Sequence, residues 1–137
     1  MKKAILAGAV AGAVSVIAII ASGYVLGEIG VFEPPGGMEI WTPSMFMLLS
    51  LAHLSLAMIW GVIFGLLFAS LYGWIPGKGV VKGLYYGLLI WVIKDVVAGS
   101  YLALTLMEVN LAIILISTGF FMWIVYGPVL GYLYKKE

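Results

Sequence analysis

Three side chains in this chain combine reactive chemistry with a place where charge is costly: His53, Lys94 and Asp95. Lys94 and Asp95 are adjacent in the middle of one long apolar run, and His53, the single histidine, lies inside another. An ionised group at mid-bilayer costs about 2.5–3.5 kcal/mol on insertion scales, so such residues face a bundle interior, pair up or line a path. Neighbours on a helix point about 100° apart. Lys94 therefore curls back only partway, and Asp95 needs a second partner. His53 is the candidate: it lies 18 residues before Leu71, and Asp95 lies 15 after Val80. At the helical rise the two depths differ by about 4–5 Å.

Two chemistries are open to such a group. One is a polar clamp that fixes helix register, with Ser117 or Thr118 as further members; interhelical polar contacts in membranes average about 0.6 kcal/mol. The other is a proton- or ion-responsive site, because histidine is the side chain whose charge changes near physiological pH.

The elements that must position these residues follow from composition. Apolar residues make up 64% of the 137, charged residues 9%, and the mean hydropathy is +1.18. Soluble domains carry roughly 25% charged residues, so the solvent for this surface is lipid. Four runs reach the roughly 20 residues that a membrane helix needs: about 4–26, 44–71, 80–106 and 109–134. They lack the alternation of a membrane barrel. The expected fold is all-α, a four-helix transmembrane bundle with antiparallel neighbours, forming a single integral membrane domain over 1–137. Pro34, Pro35, Gly36, Gly37 and Pro43 make the first connection a loop, with Pro43 suited to the first turn of the second helix. Pro76, Gly77 and Gly79 make the second a tight turn, and the third, near Met107–Asn110, is short.

Lys2, Lys3, Lys78, Lys82, Lys135 and Lys136 fall at the termini and the second connection, while Glu28, Glu33, Glu39 and Glu108 fall at the other two. The positive-inside rule then predicts a multi-pass protein of the cell membrane with both termini cytoplasmic. The N-terminus also has the basic start of a secretory signal. Its apolar stretch exceeds the 7–15 residues of a signal core, which predicts a retained helix.

Small residues recur at four-residue spacing in every span: Gly8 and Gly12, Gly23 and Gly27; Ala57, Gly61, Gly65 and Ala69; Gly79, Gly83 and Gly87, continued by Trp91, Asp95 and Gly99; Gly127 and Gly131. Residues four apart share a helix face, and small ones let backbones approach closely. Because His53 and Asp95 extend the rows of spans two and three, Gly61 and Gly65 are expected to pack on Gly83 and Gly87. A homo-oligomer surface is the alternative use of such rows. Pro128 after Gly127 removes one helical hydrogen bond and should bend the fourth span.

The stretch from His53 to about Leu104, with "GVIFGLLFASLYGWIP" and "KGLYYGLLIW", resembles the YagU-like family of small inner-membrane proteins of unknown function. That resemblance implies a multi-pass membrane protein without an assigned activity, linked to acid or envelope stress. The family carries another histidine after the tryptophan, where this chain has Lys94 and Asp95.

Several function classes fall away. Cysteine is absent, which excludes thiol chemistry and cysteine-ligated metals. One histidine cannot ligate two haem irons. A pI near 7.9 argues against a nucleic-acid partner. The first span lacks the glutamate of small multidrug exporters, and no nucleophile–base spacing points to an enzyme. No cofactor or metal is expected. The partners expected are the lipid bilayer and either further copies or a membrane partner subunit. The expected function is that of a structural, accessory or oligomer-forming membrane protein. The alternative is a proton- or ion-coupled transporter or channel using Lys94, Asp95 and His53.

Overall fold

The computed structural model describes residues 1–28, 43–107 and 109–134, with side chains in 1–19, 51–107 and 109–134. Among these residues the chain is helical and without strands. Helix α1 spans Lys2–Glu28 and α2 spans Pro43–Leu71. Helix α3 runs over Gly79–Thr105, and α4 spans Val109–Leu133. Each agrees with its predicted span to within two residues, and all four are long and apolar enough to cross a membrane. The loop predicted between the first two spans, and the Gly23/Gly27 pair, lie outside the described residues or side chains.

The boundaries have local causes. Helix α2 starts at Pro43, where a missing N–H costs nothing. It stops at the Tyr72–Lys78 turn, in which Gly77 adopts φ 86°, and Gly79 opens α3 at φ 52°. Both values lie in the left-handed region open to glycine at little cost. Pro128 lies inside α4. Large apolar side chains such as Ile59, Ile63, Val97 and Leu104 point outward, the reverse of a water-soluble surface.

The expected packing of α2's glycines on α3's is not what forms. Gly61 and Gly65 pack on α1, and Gly83 and Gly87 pack on α4. A Cβ on Gly8 would land on the Gly61 carbonyl, and one on Gly65 would sit 2.6 Å from the Ala4 carbonyl oxygen. On the other pair, a Cβ on Gly83 would land on the Gly127 carbonyl and 2.8 Å from the Gly131 nitrogen.

These two seams have the same construction. Gly8 faces Gly61 as Gly83 faces Gly127; Gly12 faces Ala57 as Gly87 faces Trp123; Ala4 faces Gly65 as Gly79 faces Gly131. The molecule is thus two antiparallel hairpins, α1–α2 and α3–α4, each zipped by backbone contact along one four-residue row.

What distinguishes the hairpins is the residue before each glycine of the first strand of the zipper. In α1 these are Ala7 and Ala11, and in α3 they are Lys82 and Tyr86; all four are buried. The alanines let α1 lie close on α4, whereas the backbones of α2 and α3 stay apart. Aromatic side chains fill the wider seam. The Phe68 ring lies 5.0 Å from Tyr86 and meets Tyr72 edge-on at 5.4 Å, and the Tyr86 hydroxyl donates to the Phe64 carbonyl at 2.7 Å. Lys82 lies under the Tyr72 ring at 4.3 Å and donates to its carbonyl at 2.5 Å. That end of the bundle, beside the Tyr72–Gly79 turn, is solidly packed. Asymmetry between otherwise matched hairpins leaves a space further along, toward Lys94.

Candidate functional site

Helix α3 changes pitch where its ionisable pair lies. It is α-helical through Trp91, makes one π turn over Val92–Val96, and resumes at Val97. The local sequence, Val92-Ile93-Lys94-Asp95-Val96-Val97, is rich in β-branched residues that sit poorly in an α-helix. A π turn holds more residues per turn, so successive side chains lie closer around the axis than in an α-helix. Lys94 Nζ accordingly reaches Asp95 Oδ1 at 2.9 Å. The partial curl expected of Lys94 becomes a full ion pair.

The second partner of Asp95 is not His53 but Trp123, whose Nε1 donates to Oδ2 at 2.6 Å. Asp95 is 2% exposed, while Lys94 is 52% exposed. The carboxylate fits against α4 because position 119 is glycine: a Cβ there would stand 2.5 Å from the Asp95 Cγ. Both carboxylate oxygens are therefore met by donors, which is what a buried charge requires. Nearby, Trp91 Nε1 donates to the Ile116 carbonyl at 2.9 Å, a second tie between α3 and α4. Thr118 spends its hydroxyl on the Ile114 carbonyl of its own helix and is not part of the clamp.

His53 sits on α2 and lines a cavity of about 210 Å³ together with Lys94. Its wall also includes Ser15 of α1, Trp60 and Phe64 of α2, and Met122, Trp123 and Tyr126 of α4. The structure joins His53 to Lys94, rather than to Asp95, around one space. Asp95 points away from that space into α4. The Tyr126 hydroxyl, donating to the Gly61 carbonyl at 2.8 Å, ties α4 across to α2 below the cavity. Phe64 holds the wall together, stacking 5.9 Å from Trp60 and meeting Trp123 edge-on at 4.9 Å.

Sequence reasoning missed Trp123 and Gly119, although their signal was present. They continue the Gly127/Gly131 row at the same spacing, in register with the Asp95 row of α3. Among the described residues no three of His, Cys, Asp and Glu converge as metal ligands. The arrangement can hold two helices in register through a buried carboxylate, and it can present one ammonium group to an aromatic-walled space. No family model, curated protein or solved structure matches the chain.

Proposed function

We propose that this chain is a small four-span protein of the cell membrane with a structural or accessory role, assembling with further copies or with a membrane partner subunit. The observation that carries this reading is how the interior polar groups are used. Trp91, Trp123, Tyr86 and Tyr126 all donate across to another helix, with Asp95 accepting the Trp123 bond, and among the described residues no buried side-chain polar atom lacks a partner. Polar groups committed to packing are unavailable to a substrate. The lysine-rich ends support a topology with both termini in the cytoplasm, and the quoted residues support a place in the YagU-like family. Native mass spectrometry from lipid nanodiscs tests the role. A mass above that of one 14.7 kDa chain is expected; a uniform monomer would overturn the oligomeric part of the reading.

The alternative, proton- or ion-coupled transport, draws support from His53 and Lys94 sharing one cavity. Flux measured in proteoliposomes separates the two. Transport should fall when Lys94 is neutralised in a folded protein, whereas a purely accessory protein shows no flux to lose.

A further inference from the structure

The cavity beside Lys94 combines an aromatic wall with one ammonium group. Four aromatic side chains, Trp60, Phe64, Trp123 and Tyr126, form a continuous wall. Trp123 and Tyr126 meet edge-on at 5.2 Å. At one end stands the Lys94 ammonium. It has three donors, one of them given to Asp95.

The sign of charge offered to an occupant is set by unequal burial. Asp95 is 2% exposed with both oxygens engaged, while its partner Lys94 is 52% exposed. The ion pair is neutral as a whole, yet of its two members it is Lys94 that lines the cavity. An ammonium ligand would meet Lys94 head-on, whereas an anion finds donors.

Size narrows the occupant further. An apolar cavity of about 150 Å³ takes one benzene ring, so about 210 Å³ accommodates a single ring with a small polar group. Depth excludes a lipid headgroup. Lys94 lies 15 residues beyond Gly79 and 11 short of Thr105 on a continuous helix, which places it about 16–22 Å from either helix end at the helical rise. Headgroups stay at the membrane surface, and an acyl chain has nothing to offer an ammonium. A small aromatic carboxylate, by contrast, offers a ring to the aromatic wall and an anion to the Lys94 donors.

We propose that this cavity binds a small single-ring aromatic carboxylate, with the ring against Trp60, Phe64, Trp123 and Tyr126 and the carboxylate on Lys94 Nζ. This goes beyond an accessory role and does not depend on it, because binding can occur with or without assembly or transport.

The test is a titration of the full chain in nanodiscs of zwitterionic lipid with 4-trifluoromethyl-phenylacetate, followed by ¹⁹F NMR. The matched amine and alcohol serve as controls. Saturable one-to-one binding of the acid is expected, with the amine and the alcohol each at least tenfold weaker, since a hydrogen bond to a charged group is worth about 1.5–3 kcal/mol, or about ten- to a hundredfold. Lys94→Arg should retain binding and Lys94→Gln should lose it. Because Lys94→Gln also disturbs the ion pair, Met122→Trp, which fills the cavity from α4, provides a second route to loss. Equal binding of acid and amine would overturn the proposal. So would an absence of saturable binding to the folded wild type, or binding that survives Met122→Trp.

Discussion

Trp123 of α4 donates its indole N–H to the Asp95 carboxylate of α3 at 2.6 Å, and Gly119, one turn earlier on α4, provides the room. The bond continues the seam of the second hairpin past the Gly83/Gly87 row. Below it Gly83 and Gly87 rest on Gly127 and Trp123. Above it the contact continues where a Cβ on Gly99 would stand 2.5 Å from Ile116 Cγ1.

Breaking the ion pair from one side should cost more than removing it. Lys94→Met leaves Asp95 buried with a single donor, and a loss of about 2–3 kcal/mol is expected, toward the low end for buried pairs because Lys94 is half-exposed. Lys94→Met combined with Asp95→Asn should recover at least half of that loss. Unfolding in mixed micelles measures both, and a double variant less stable than Lys94→Met would contradict the pairing.

The backbone seams predict a steep dependence on a single methyl group. Gly8→Ala and Gly83→Ala each force apart two helix backbones, so each should lower the unfolding temperature by several degrees. Gly73→Ala is the control, since nothing lies within 4 Å of a Cβ at that position. If all three variants melt alike in detergent, the seams are not where the helices meet.

Those seams mark the limit of what the sequence discloses. Span boundaries, antiparallel neighbours and the four-residue rows were legible, because hydropathy and small-residue spacing report directly on helix length and face. Which row meets which was not. Gly61/Gly65 and Gly83/Gly87 are equally suited to any small-residue partner, and the choice rests on Ala7 and Ala11 against Lys82 and Tyr86. Depth counting paired His53 with Asp95, whereas the second donor to that carboxylate is Trp123 and His53 shares its cavity with Lys94. Trp123 was overlooked because a tryptophan in a membrane run reads as apolar bulk, although its N–H is the donor a buried carboxylate needs. The π turn has no signal beyond a run of β-branched residues.

The aromatic tie across the wide side of the bundle can be weighed on its own. Tyr126→Phe removes the hydroxyl that reaches the Gly61 carbonyl and should cost about 1 kcal/mol. Tyr86→Ala, which empties the largest fully buried side chain, should cost about 3–5 kcal/mol. Equal costs in a chemical-denaturation series would show that burying the whole Tyr86 side chain contributes no more than one such hydrogen bond.

Orientation rests on the lysine distribution and is open to a direct check. Reporter fusions at Gly36 and at the C-terminus should read outside and inside respectively. Both reading the same side would contradict the proposed topology.

The clamp between α3 and α4 is tested most directly by a double-mutant cycle on Asp95 and Trp123, using Asp95→Asn, Trp123→Phe and the pair together, with unfolding free energies measured under one set of conditions. A charge-assisted bond to a buried carboxylate predicts a coupling of at least about 1 kcal/mol between the two substitutions. Costs that add to within about 0.3–0.5 kcal/mol, the scatter expected of independent sites, would contradict the account that this carboxylate and this indole hold the two helices in register.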